Sequence, residues 1–435
     1  MKRVSRVTIL VVALCWGAIL FEGYDLVVYG NVVPALLSYR PWALTPTEAG
    51  AFGSYAVIGM LFGALGIGML ADLIGRKKTL LASVTWTALF MVASGFAPTP
   101  GVFGVFRFLT GLGLGGLIPT VTAITLEYAP DEWRTFTFIL MYTGYNVGGV
   151  VAALLAMSFL PSVGWRPMFW FAAIPFIVVV PLAARYVPES MSYLYAKGQR
   201  AQADELGKRF NVSPPAVDQA AAGSFGAGVV STLFSRSYLS ATIAFWVSSF
   251  MGLFMIFGVN TWLPTFLRGQ GYSLASALTF VLVLNLGAIA GNLLTGAAMD
   301  RWGARRLCSW SFVIAIVSFA LLSARPPVVV AYILVALAGV GTMGTQNLVN
   351  AFVGLHYPGR SRGSAVGWSL GVGRIGGILA PLVGGVLVSM RVGVQWNFYT
   401  YALAGLLGML AILQVHPNRS AGSLDTPAGM GAPTA

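Results

Sequence analysis

The sequence predicts an all-α polytopic membrane protein, with twelve transmembrane helices arranged as two six-helix bundles. Three observations predict it. The first is composition: 57% of the 435 residues are hydrophobic and only 9% are charged, with a mean hydropathy of +0.80. Soluble domains carry about 25% charged residues. The second is patterning, since apolar runs of roughly 18–30 residues alternate with short polar loops, the length that crosses a bilayer as helix. The third is an internal repeat that relates the first half of the chain to the second. The 53 glycines suit this class, because small residues let membrane helices pack closely.

Taken in order, the runs fall at residues 7–38, 48–71, 79–97, 101–128, 135–160 and 167–187, then 237–267, 275–298, 307–324, 327–356, 363–390 and 396–415. Residues 1–187 are therefore expected to form one bundle and 237–416 the other. Between them, 188–236 reads as a polar linker, with Lys197, Arg200, Lys208, Arg209, Ser213-Pro214-Pro215 and a Gly/Ala-rich piece at 220–228. Residues 417–435 hold Pro, Gly, Ser and Ala with nothing to bury, and are expected to be disordered. The start, Met1-Lys2-Arg3-Val4-Ser5-Arg6, faintly resembles a signal peptide, but no small-residue cleavage pattern follows, so it reads as an uncleaved first helix.

Charge placement sets the expected orientation. Nineteen of the 26 Lys and Arg residues fall in loops on the side of the N-terminus, five on the other side, and two, Arg107 and Arg374, inside spans. By the positive-inside rule both termini and the linker are cytoplasmic. The net charge of +13 is thus a topology signal and not a mark of nucleic-acid binding. Cys15 and Cys308 lie within or at the end of apolar runs and suggest neither a disulfide nor a metal site.

The repeat is visible at a shift of 228 residues. Gly68, Asp72, Gly75 and Lys77-Lys78 meet Gly296, Asp300, Gly303 and Arg305-Arg306. At the same shift Arg134 meets Arg362, Gly148-Gly149 meets Gly376-Gly377, and Asn146 meets Arg374. Aligning Pro34 with Pro264 sets Glu22 against Gly252 and Asp25 against Met255. The first span thus carries an acid pair, three residues apart on one helix face, that the second half lacks. An ionisable side chain at bilayer depth costs at least ~2.5–3.5 kcal/mol on insertion scales, so it points to function.

These residues carry a family resemblance over nearly the whole chain. Gly68-x-x-x-Asp72-x-x-Gly75-Arg76-Lys77-Lys78, with its degenerate second copy and the long central linker, resembles the signature of the major facilitator superfamily. Within it, Glu22-Gly23-Tyr24-Asp25 is similar to the first-span pattern of the aromatic acid:proton symporters, with Glu22 where an Asp is usual. Arg107-Phe108-Leu109-Thr110-Gly111, Glu127-Tyr128-Ala129-Pro130, Pro188-Glu189-Ser190 and Gly371-Val372-Gly373-Arg374 extend the match. The continuation Asp25-Leu26-Val27-Val28-Tyr29-Gly30 looks most like the benzoate carriers of that family.

The resemblance implies proton-coupled uptake of a monocyclic aromatic carboxylate, such as benzoate or a hydroxybenzoate, across a bacterial inner membrane. Its partners would be that substrate, protons and the lipid bilayer, with no cofactor and no nucleic acid, and the expected unit is a monomer. Asp25 is then the expected proton carrier, with Glu22 as its tuner or gate and Arg107 as its charge partner. Asp25–Arg107 as a static structural ion pair is the competing reading. Arg374 presents a guanidinium fork that matches a carboxylate, or else forms a salt bridge to another helix. Candidates for the ring's walls and polar contacts are Tyr29, Tyr142 with Asn146, Asn285, Gln346 with Asn350, and Trp368, although intramembrane amides more often join helices. Asp72, Gly75, Arg76, Glu127, Arg134, Asp300 and Arg362 fit a gate at the cytoplasmic mouth, against the plainer reading of topological or solvated loop charges. Trp262 and Trp310 read as interfacial belt residues.

Three other classes would leave different marks. A drug:proton exporter would carry a Gly-x-x-x-x-Gly-Pro pattern in the fifth span, which here reads Gly144-Tyr145-Asn146-Val147-Gly148-Gly149 with no proline. A sensor of aromatic acids would call for a signalling domain. An enzyme would call for a nucleophile–base set, a metal cluster or a cofactor loop.

Overall fold

The computed structural model describes residues 6–129, 133–210 and 231–415. The expected tail at 417–435 and the 220–228 piece of the linker lie outside the described residues. The first half is built from α1 (Arg6–Ser38), α2 (Pro46–Ile74), α3 (Arg76–Gly95), α4 (Pro100–Gly115), α5 (Leu117–Tyr128), α6 (Arg134–Val163), α7 (Arg166–Trp170) and α8 (Ala173–Tyr186). Short helices α9 (Met191–Ala196) and α10 (Arg200–Phe210) lie in the linker. The second half holds α11 (Leu239–Gly269), α12 (Leu274–Trp302), α13 (Ala304–Leu322), α14 (Val328–His356), α15 (Gly359–Ser389) and α16 (Gln395–Gln414). The fourth traversal breaks at Gly116 between α4 and α5, and the sixth is α7 followed by α8.

Among the described residues, eleven traversals are long and apolar enough to cross a membrane by length and composition. The twelfth is α3, whose run is diluted by Lys78, Ser83, Thr85 and Thr87. Local chemistry sets the ends. Thr45 and Glu48 make a capping box before Pro46, and Thr99 and Ser273 cap α4 and α12. Gly75 (φ +102°) and Gly303 (φ +77°) make the two equivalent tight turns in backbone conformations that a side chain would strain. Pro34, Pro161, Pro181, Pro264 and Pro381 sit inside helices, which bilayer spans tolerate when neighbours accept the freed carbonyls. The Asn260 carbonyl, released by Pro264, packs against Gly30 of α1.

The repeat reappears in packing. In the first half α1 lies along α6 and α2 along α4; in the second, α11 lies along α15 and α12 along α14. Glycines allow these approaches. A Cβ on Gly23 would overlap the Tyr145 carbonyl, one on Gly148 the Leu20 carbonyl, and one on Gly376 the Phe250 carbonyl.

The halves meet through α2 with α15, α6 with α12, and α1 with α11. Along the α2–α15 pair the contact changes from one end to the other. At the end far from the chain termini, Gly50 packs on the Pro381 carbonyl, Thr47 Oγ1 bonds Ser389 Oγ at 2.8 Å, and Ser54 Oγ donates to the Ile378 carbonyl at 2.6 Å. At the end rich in basic residues, Gly66 and Gly68 of α2 and Gly363, Gly367 and Gly371 of α15 have nothing within 4 Å. The halves are therefore closed at the far end and parted at the basic end.

Candidate functional site

The charged groups inside the spans gather where the closed and parted regions meet. On α1, Glu22 and Asp25 are both buried. Arg107 of α4 grips Asp25 with both guanidinium nitrogens, Nη1 to Oδ1 at 2.5 Å and Nη2 to Oδ2 at 3.2 Å. Their side chains are 2% and 1% exposed. The guanidinium also lies 4.9 Å from the centre of the Tyr29 ring, one turn further along α1. The Tyr29 hydroxyl is spent on the Ala49 carbonyl, so this tyrosine seals the outer side of the ion pair.

Glu22 is arranged differently. Its Oε2 is buried with no hydrogen-bond partner. It lies within electrostatic reach of Asp25 and, across the gap between the halves, of Arg374. Arg374 Nη1 donates to the Met60 carbonyl of α2 at 2.6 Å, so the guanidinium bridges the two halves at the floor of the parted region. Tyr142 of α6 lies close enough to interact with both Glu22 and Arg374, and Tyr145 with both acids. Asn146, one turn beyond Tyr142, is buried with its Oδ1 unpartnered. An unpaired buried carboxylate and unsatisfied amide oxygens cost several kcal/mol when left without a ligand, proton or water.

The other expected contacts divide. Asn285 of α12 fits against Gly149 of α6 and donates to the Val281 carbonyl at 2.9 Å, which makes it a joint between the halves. Gln346 Nε2 donates to Asn350 Oδ1 at 3.0 Å, and Gln346 Oε1, unpartnered, lies over Gly252, the residue aligned with Glu22. Trp368 stacks on Trp246 of α11 at 5.7 Å and meets Phe234 edge-on. It belongs to that aromatic group at the basic end, not to the surroundings of Arg374. The expectation for Trp262 is also corrected: it is fully buried and its indole N–H donates to the Pro381 carbonyl at 2.8 Å, whereas Trp310 is 64% exposed.

The residues expected at the basic mouth form a knot within the first half rather than a bridge to the second. Arg76 pairs with Glu127, whose carboxylate also accepts from Ser190 Oγ at 2.9 Å and the Met191 N–H at 3.0 Å. Glu189 Oε1 accepts from the backbone N–H of Lys77 at 3.0 Å and of Ser190 at 2.9 Å. Its carboxylate fills the space that a side chain on Gly75 would need. Asp72 and Arg362 are exposed, and neither makes an ion pair among the described residues. That follows from the parted mouth, which leaves Asp72 no partner to close on. Arg134 and Asp300 lie on described helices, but their side chains fall outside the described ones. Sequence reasoning missed Tyr145, three residues from Tyr142 on the same face, and the Met60 carbonyl, which no side-chain pattern could signal.

Two repeated bundles, closed together at one end and parted at the other, with buried charges facing the gap, define a membrane transporter rather than an enzyme. The chain belongs to the Major Facilitator Superfamily, whose sequence profile matches residues 15–368 and, in a second match, 281–431. It is 40% identical over 400 residues to the gentisate transporter of Corynebacterium glutamicum, covering 91% of this chain and 85% of that one. It is 34% identical to the benzoate transport protein of Acinetobacter baylyi, covering 92% and 88%. The fold is similar to a partially occluded inward-open xylose transporter, XylE of Escherichia coli. The TM-score is 0.73 at 18% identity, over 95% of this chain and all of that one.

Proposed function

We propose that this chain carries a small aromatic carboxylate together with a proton into a bacterial cell, with the basic end of the molecule cytoplasmic. The relatives named for gentisate and benzoate support the substrate class, and the loop charges support the orientation. The observation that carries the mechanism is the unpartnered carboxylate oxygen of Glu22 within reach of Arg374 on the opposite half.

Asp25 is the expected proton carrier from the sequence, but Arg107 already neutralises it in a two-pronged, dry ion pair. In our reading Glu22 takes the proton, and Asp25–Arg107 is the fixed pair beside it. With no substrate, ionised Glu22 and Arg374 balance each other across the gap. A substrate carboxylate on the Arg374 fork competes with Glu22 for that positive charge, and Glu22 then binds a proton. Proton and monoanion together add no net charge, so the loaded carrier can dehydrate and rock shut around them. Tyr142 and Asn146 line the ring's path on α6. The gate in this reading closes when Asp72 and Arg362, now exposed, are brought together with the opposite half.

Purified protein in liposomes tests this. An acid-outside pH gradient is expected to drive accumulation of labelled benzoate or gentisate, with unlabelled aromatic carboxylates competing and the corresponding amides not. Accumulation that persists unchanged when the gradient is collapsed would overturn proton coupling.

A further inference from the structure

The repeat allows one half to be used as a template for the other. In the first half, the turn at Gly75 and the start of α3 are occupied by the chain's own carboxylate: Glu189 sits against Gly75 and accepts from the Lys77 N–H. Tyr128 supports it by donating to the Glu189 carbonyl at 2.6 Å. At the shift of 228, Gly303 replaces Gly75, Arg305-Arg306 replace Lys77-Lys78, and Leu355-His356 replace Glu127-Tyr128. The backbone turn is the same, yet nothing among the described residues lies within 4 Å of the Gly303 Cβ position. In place of a carboxylate there is a cavity of about 710 Å³ lined by Trp302, Gly303, Arg305, Arg306, Trp310 and His356 among others, with no acidic side chain among the described residues that line it.

Two further observations point to an anion there. His356 is 7% exposed, lines the cavity and has an Nδ1 with no partner. Between residues 231 and 415 the chain has ten arginines against a single carboxylate, Asp300, so this half is poor in counter-ions of its own. Open N–H groups at a helix start, two guanidinium groups and an imidazole together suit a phosphate. The rim favours a phosphate attached to lipid: Trp302 and Trp310 are each 64% exposed and Leu355 54%, a girdle of the kind that lies at the headgroup level of a bilayer.

We propose that this cavity at the start of α13 binds the phosphate headgroup of an anionic phospholipid, which serves the second half as Glu189 serves the first. Arg305, whose guanidinium also donates to the Leu413 carbonyl, ties the occupied site to the end of α16.

The test is thermal unfolding of the full chain in detergent, titrated with phosphatidylglycerol, phosphatidylcholine or inorganic phosphate. Phosphatidylglycerol is expected to raise the Tm saturably, with the other two far weaker. Arg306→Gln is expected to raise the half-saturating phosphatidylglycerol concentration about fivefold, the effect of one basic residue near an anionic lipid surface. Leu355→Glu, on a different helix, places a carboxylate at the position equivalent to Glu127, where it would compete for the cavity's arginines, and is expected to remove the response. Arg391→Gln, at the far end, is expected to leave it unchanged. Equal stabilisation by inorganic phosphate would overturn the lipid assignment. Unchanged midpoints in both cavity variants, or an equal loss in Arg391→Gln, would overturn the site.

Discussion

The two halves share a packing plan and differ in their charges. In the first, the buried acids Glu22 and Asp25 are met by Arg107, and the mouth is tied by Glu127 and Glu189. In the second, Gly252 and Met255 stand where the acids would be, and one guanidinium, Arg374, faces across. The two frames are alike, and the charges that face the gap are what make them unequal. In the proposed reading, neither half alone holds both the acid that takes the proton and the cation that takes the anion.

That comparison can be broken most directly at Glu22. Glu22→Gln keeps the shape and removes the proposed proton site, so accumulation driven by a pH gradient is expected to be lost while exchange of labelled for unlabelled substrate continues. A variant that still accumulates would return the proton to Asp25. The Asp25–Arg107 pair is expected to be a matter of stability first. Arg107→Ala leaves a buried charge alone and should cost ~3–5 kcal/mol, seen as a lowered Tm, with Asp25→Asn in the same chain recovering most of it. If the double variant is as unstable as the single one, the pair is not what holds that region.

The contribution of the second half is sharpened by Arg374→Lys, which keeps the charge and loses the fork. Loss of a charge-assisted bond worth ~1.5–3 kcal/mol should weaken substrate affinity roughly ten- to hundredfold. Unchanged affinity by competition binding would move the carboxylate site elsewhere. The smallest effect separates the two turns. Gly303→Ala should cost ~1–3 kcal/mol from backbone conformation alone. Gly75→Ala adds displacement of the Glu189 carboxylate, so its Tm should fall further; equal losses would mean that Glu189 yields freely.

Much of this was legible in the sequence because bilayer burial is a demanding rule. Apolar runs gave the helices, and the recurrence of Gly68-x-x-x-Asp72 near Gly296-x-x-x-Asp300 gave the two halves. Intramembrane charge gave Glu22, Asp25, Arg107 and Arg374. Rotation about each helix axis was not legible, because helices that are apolar on every side do not reveal which face meets which neighbour. Trp368 turns toward Trp246, Trp262 turns inward to a carbonyl, and Asn285 settles against Gly149 for this reason. The proposed division of labour between Glu22 and Asp25 depends on which acid Arg107 reaches, a contact between residues 82 apart in the chain.

The bare glycines along the parted rim, Gly66 and Gly68 of α2 and Gly363, Gly367 and Gly371 of α15, resemble in kind those at the closed rim, where Gly50 packs on the Pro381 carbonyl and Gly385 on the Pro46 carbonyl. Closing the mouth would exchange one set of small-residue backbone contacts for another of similar character. In the proposed cycle such a carrier would store little preference of its own for either orientation. It would behave as a nearly balanced lever, with the direction of net flow set by the concentrations of acid and anion on the two sides of the membrane.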